Sequence, residues 1–218
     1  MEAPVQTRHI RARRERALYV EITIRAPLET VWDLTQDPQR HVRWDARFSA
    51  IRPVRTRPDG AQEFEYDRGL GLHTIRGTGV SLGTRHGRAG ERTSALVFDS
   101  ADPLSPLRRG RGYWRYIPTA DGVRFLTGYD YEPGWGSLGR ALDPLLVRPF
   151  VWWLTARSFD RLRLWAEAGI APEQTTWWRA LLPGRRPRPR ARHCLSRPTQ
   201  RARGVMQDAP ASLAEIER

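Results

Sequence analysis

The residues of this chain that are equipped for chemistry stand in patterns that exclude most of it. Five histidines, His9, His41, His73, His86 and His193, form neither an HExxH pair nor a His-x-x-x-His spacing, so no helical metal face is written into them. A single cysteine, Cys194, excludes a disulfide framework and a cysteine-based zinc cluster. Its one histidine neighbour, His193, lies with it in an Arg/Pro-rich tail, so nucleophilic chemistry lacks an activating partner in the folded part. No serine occupies a G-x-S-x-G elbow. Asp33 and Asp37 are at helical spacing, but Asp37 is engaged as a helix cap. The runs Gly69-Leu70-Gly71 and Gly77-Thr78-Gly79 precede no helix and therefore cradle no phosphate; they are expected to mark bends in a sheet. No catalytic residue, metal ligand or cofactor is expected.

What remains is aromatic. In a strand, alternate side chains share a face, and several short runs place aromatics on one parity. Phe64 pairs with Tyr66, Leu96 with Phe98, and Trp114 and Tyr116 share a face with Gly112. Over 123–132 the set is Val123, Phe125, Thr127, Tyr129 and Tyr131, opposite Arg124 and Asp130. Each set points one way, towards either a solid aromatic core or a cavity whose tyrosine hydroxyls are polar handles. Arg76 shares a face with Thr74 and Thr78; facing inward it would need an anion, and facing outward it is simply solvated.

These side chains need a sheet. Leu18 to Arg25 alternates as a strand with one wet face, and six more strand-like runs follow at 47–56, 62–68, 72–83, 91–100, 110–118 and 123–132. Asp59-Gly60 and Asp121-Gly122 are hairpin turns, which makes neighbouring strands antiparallel. After the first strand, Pro27 opens a short helix, and Asp37-Pro38 caps a second that ends near Trp44. A long helix is expected from Asp143-Pro144 to Gly169, kinked at or beginning near Pro149. Its main stripe is Leu145, Trp152, Ala156, Phe159, Leu162 and Ala166. Phe150, Leu154 and Trp165 form a second apolar side, which the segment from Thr176 to Leu182, with Trp177 and Trp178, is expected to cover. The expected class is α+β: a curved antiparallel sheet of about seven strands on a long C-terminal helix, with two short helices after strand 1.

The run YVEITIRAPLETVWDLTQDPQRHVRWD resembles the START-like, polyketide cyclase/dehydrase and lipid transport superfamily, and DGVRFLTGYDYEP looks like its penultimate strand. The likeness covers roughly 18–169 and implies a helix-grip fold enclosing a hydrophobic cavity. With it, the ligand-binding candidates are Trp44, Phe64, Tyr66, Trp114, Tyr116, Phe125, Tyr129, Trp152 and Phe159. Two functions stay open: a carrier or sensor of a lipid, isoprenoid or polyketide-like molecule, and a cyclase or aromatase in which Tyr116, Tyr129 or Arg76 donates protons.

Charge points elsewhere only at first sight. The 218 residues hold 37 arginines, no lysine and 24 acids, a net +13. The excess divides as +3 over residues 1–17, +3 over 18–173 and +7 over 174–218, so the central part is nearly balanced. The expected organisation is a flexible basic segment at 1–17, a domain at 18–170, and a largely disordered Arg/Pro-rich tail at 171–218. The tail has no aromatic residue after Ala180 to stack on bases. Weak polyanion or membrane-surface contact is its expected reach, and no specific nucleic acid is predicted. There is no run of 18 apolar residues and no secretory h-region, so a cytoplasmic protein is expected.

Overall fold

A computed structural model describes residues 17–87, 89–176 and 187–198. Seven strands form one antiparallel sheet: β1 Leu18–Ile24, β2 Ala50–Thr56, β3 Gln62–Leu70, β4 His73–His86, β5 Arg92–Asp99, β6 Leu107–Thr119 and β7 Gly122–Pro133. Their order is β1-β7-β6-β5-β4-β3-β2, so the first strand closes beside the last and β2 forms the far edge. Register shifts at Pro53/Arg55, Ser81/Gly83 and Leu107/Gly110 bend the sheet into a trough. Two short helices follow β1: α1 Leu28–Gln36 and α2 Pro38–Trp44. The Asp37 carboxylate caps α2, accepting from the backbone N–H groups of Gln39 and Arg40, with Pro38 at the start as its missing donor allows.

The long helical stretch begins earlier than Asp143. It opens at Gly136 as α3 (Gly136–Leu142), runs through a π-helical turn at Asp143–Val147 and continues as α4 (Arg148–Ala168). Gly136 and Gly139 are weak helix formers, which hid this first turn from pattern reading. Asp143 is therefore no N-cap; its carboxylate accepts the Tyr131 hydroxyl at 2.6 Å. The π turn also shifts the phase of the stripe, so Leu145 points to solvent, 74% exposed. Pro149 sits in the first turn of α4, and Gly169 ends it in the left-handed conformation at φ 66°.

The space between helix and sheet is filled at one end only. Where the C-terminal half of α4 crosses β1 and β7, Val20, Ile22, Ile24, Val31, Phe125, Phe159 and Leu162 form a solid core. Trp44 is wholly buried there, and its indole donates to the Leu34 carbonyl at 2.8 Å. Tyr116 is wholly buried too. Thr35 donates to the Val31 carbonyl at 2.9 Å, so the Tyr116 hydroxyl, 2.7 Å away, donates to Thr35 and accepts from Gln36 at 2.9 Å.

Twelve residues expected in the unpacked tail, 187–198, instead dock on the domain. Leu195 exchanges two backbone hydrogen bonds with Glu21, at 3.1 and 2.8 Å, pairing part of the exposed edge of β1. The buried Asp160 carboxylate accepts from the Arg190 backbone at 2.7 Å and from His193 Nδ1 at 3.0 Å. Docking mainly by backbone pairs, one carboxylate and the small side chains of Ala191 and Cys194 leaves no apolar periodicity to read. Residues 1–16, the Trp177/Trp178 segment expected to fold back, and the rest of the tail lie outside the described residues. On the second apolar side, Arg43 lies 4.5 Å over the Trp165 ring and pairs with Glu173 at 2.7 Å.

Cys194 is buried in this dock, and burial pushes its thiol up to about 12. The native protein is accordingly expected to react with a thiol reagent at least about a hundredfold more slowly than the unfolded chain. Fast labelling of the native protein would show that 187–198 is not seated on α4.

Candidate functional site: a cavity between sheet and helix

At the other end, under the first turns of α4, the trough stays open as a cavity of about 710 Å³. That lies within the range of small-molecule sites, ~300–1,000 Å³. Its floor comes from the inner faces of β3 to β7 and its roof from Val147, Phe150, Val151 and Leu154. Four expected residues stand on its wall: Phe64, Tyr66, Trp114 and Tyr129. They are joined by Leu96, Phe98, Ile75 and Phe48.

The other five do not line it. Trp44, Tyr116, Phe125 and Phe159 pack against one another in the solid half; the Phe125 and Phe159 rings stack 4.5 Å apart. Trp152 is half-buried and donates to the Tyr19 carbonyl at 3.0 Å. Strand parity identifies the inward face but not how far along the helix a side chain lies. Arg76 takes the outward face and is exposed.

Glycines shape the floor in a way their sequence context conceals. Gly79 on β4 lies opposite Phe64 on β3, and a Cβ there would overlap the Phe64 ring. Gly77 stands in the same relation to Tyr66, and Gly110 to Phe98. Each ring lies flat over a glycine of the next strand, and the cavity keeps the volume the rings would otherwise occupy. These three glycines are seats for rings, whereas the expected bend is found at the Ser81/Gly83 bulge, with Gly83 at φ 105°.

One wall is polar. The chain between α2 and β2 was expected to be strand from residue 47, but β2 starts at Ala50, and the loop turns Arg47 and Phe48 into the cavity. Arg47 Nε and one terminal nitrogen reach the fully buried Asp45 carboxylate at 2.9 and 2.6 Å, and the Arg47 backbone N–H donates to it at 3.0 Å. His41 Nε2 lies 3.0 Å from the same carboxylate. Burial alone would raise the Asp45 carboxyl; the Arg47 guanidinium and the bonds from His41 and Arg47 outweigh it and hold the group far below the ordinary carboxylate range. Burial dominates at His41 and lowers it, with Asp45 offsetting this only in part. The imidazole is thus neutral and Nε2 carries the proton. His41 stacks on Trp44 at 4.9 Å and meets Trp114 edge-on at 4.8 Å, which fixes its plane.

The Arg47 guanidinium lies 5.7 Å from the Tyr129 ring centre. Thr155 gives its proton to the Val151 carbonyl at 2.8 Å, so the Tyr129 hydroxyl, 3.0 Å from Thr155, donates to that oxygen. Its proton is committed to the protein. Of the three expected proton donors, Tyr116 is in the core, Arg76 is outside and Tyr129 is engaged. Sequence reasoning passed over the Asp45–Arg47 pair; the signal was two opposite charges, two residues apart, at the end of an aromatic helix.

With this geometry in hand, the comparison with known proteins is decisive for family. Residues 15–167 match the family model described as polyketide cyclase / dehydrase and lipid transport. The chain belongs to that family. Within reach of it, an "Uncharacterized membrane protein YndG" of Bacillus subtilis (strain 168) is 44% identical over 164 residues, 74% of this chain. The aligned part is 61% of that protein's length, so the chain spans well under its whole. Among the described residues no helix is long and apolar enough to cross a membrane. Two solved structures share the fold. The di-domain ARO/CYC StfQ from the steffimycin biosynthetic pathway superposes with a TM-score of 0.53 at 12% identity, over 76% of this chain and 54% of that one. The Zhui aromatase/cyclase of Streptomyces sp. R1128 gives 0.50 at 10% identity, over 72% and 98%.

Proposed function

We propose that the cavity binds one apolar small molecule, a lipid, isoprenoid or polyketide-like compound, and that the protein acts as its carrier or sensor in the cytoplasm. The observation that carries this reading is the cavity itself. It is large, its walls are mainly aromatic and aliphatic, and the charges on its lining are few: Arg47 is neutralised by Asp45, Glu63 is paired with Arg55 and Arg57, and Arg68 stands near the end of β3. An apolar body would fill the floor over Phe64, Tyr66 and Phe98, and a single oxygen acceptor would meet the remaining N–H groups of Arg47. Because Asp45 balances Arg47, an uncharged oxygen suits this wall better than a carboxylate.

A cyclase-type enzyme is the second reading. It is favoured by the family's description and by Arg47 on the wall, and it is weakened by the positions of Tyr116, Arg76 and Tyr129.

Displacement of a fluorescent fatty-acid methyl ester, an apolar probe with an uncharged oxygen, tests the proposal. One saturable site is expected, emptied by competitors of at least one of the three apolar classes. Failure of all three to displace the probe would contradict it. For the enzyme reading, Arg47→Met should abolish turnover of a bound ligand while retaining its binding; unchanged turnover would remove Arg47 from that role.

A further inference from the structure

Eleven large apolar side chains are exposed among the described residues, and nine of them surround the cavity mouth. Leu70, Leu104, Trp135, Leu146 and Phe150 form its lip. Leu72, Leu138, Leu145 and Trp153 extend that lip outward; Leu72 is fully exposed, and the Trp153 ring stacks on Phe150 at 6.1 Å. They come from the β3–β4 turn, the β5–β6 loop and the α3–α4 stretch, which the fold gathers at one end of the trough. A monomer in water rarely gathers so much apolar surface in one place without a partner for it.

The charges around this rim say which partner. From Gly134 to Phe159 the only acid is Asp143, which is buried and bonded to Tyr131, while Arg140, Arg148 and Arg157 lie on the same stretch. Arg68 and Arg109 stand beside the strand ends. The neighbouring acids are Asp99, Glu132 and Asp102, of which Asp102 is engaged by His73 at 3.0 Å. A second copy seated on the rim would set arginine against arginine and seal the mouth. A bilayer surface meets leucine, phenylalanine and tryptophan with acyl chains, and arginine with phosphate headgroups.

We infer that this rim docks on an anionic phospholipid surface, with the cavity mouth facing the acyl region. An apolar ligand then passes between bilayer and cavity without crossing water. This surface is separate from the basic tail, and its test is independent of what the cavity holds.

The experiment is flotation of the full chain with vesicles of phosphatidylcholine alone and of phosphatidylcholine mixed with phosphatidylglycerol. Binding is expected to the mixed vesicles. Leu72→Glu and Leu145→Glu, both exposed and clear of the core, should each weaken it roughly tenfold. Val54→Glu, also at an exposed position but on the far edge strand, should leave it unchanged, and circular dichroism should show all three folded. Three results would overturn the inference. One is absence of binding to either vesicle. Another is binding that survives both rim substitutions and is lost when the tail arginines are neutralised. The third is a concentration-dependent dimer, abolished by Leu145→Glu, in protein that ignores vesicles.

Discussion

Asp45→Ala is expected to destabilise the protein by about 3–5 kcal/mol, read as a lower denaturant midpoint. The carboxylate is wholly buried and accepts from the Arg47 side chain, the Arg47 backbone and His41. Removing it leaves a guanidinium that is mostly enclosed and has no counter-charge, together with an imidazole N–H that has lost its acceptor. The cost comes mainly from that stranded cation. Asp45→Ala combined with Arg47→Met is therefore expected to cost clearly less than the two single changes summed. The pair also bears on pH. Because the folded-state Asp45 carboxyl lies well below its unfolded value near ~3.9, its contribution is complete above that value and fades as pH falls below it. A loss under about 1 kcal/mol for Asp45→Ala would mean that Arg47 is solvated and the wall is not closed.

Gly79→Ala should act on the cavity more than on the fold. The new methyl overlaps only the far end of the Phe64 ring, with no backbone atom among its nearest neighbours, so the ring can swing away. The open direction is inward, into the cavity. The expected stability loss is about 1–3 kcal/mol. Affinity for an apolar ligand should fall at least about tenfold, or ~1.4 kcal/mol. Gly110→Ala is a harsher version, since its methyl would meet both Phe98 and the Asp130 carbonyl. Unchanged affinity in a folded Gly79→Ala protein would show that ligand does not lie over Phe64.

The sheet was readable because strand alternation and Asp-Gly turns are local signals. All seven strand starts fall within three residues of their expected places, as do Pro38 and Gly169. The cavity was legible only by face. Trp114 and Tyr116 are two residues apart on one parity, yet Trp114 reaches the cavity and Tyr116 is locked between Thr35 and Gln36. What separates them is where α1 and α4 cross the sheet, and no strand period encodes that. The glycine seats depend on cross-strand register, and the Arg47 turn on where β2 begins. Neither is local in sequence. Residues 187–198 were misread for a related reason: their docking rests on a backbone pair and on Asp160, some 30 residues away in the chain. The large positive charge, the loudest number in the composition, bears on the cavity only through Arg47, which is neutralised in place, and Arg68 near the end of β3.

The measurement that bears most directly on the cavity as a ligand site is native mass spectrometry of the full chain purified from its own source. The expected spectrum contains protein plus one small molecule, released by mild activation and extractable into organic solvent, with the adduct reduced in Gly79→Ala. A bare protein mass, together with no displacement of the fluorescent methyl ester by any apolar class, would contradict it.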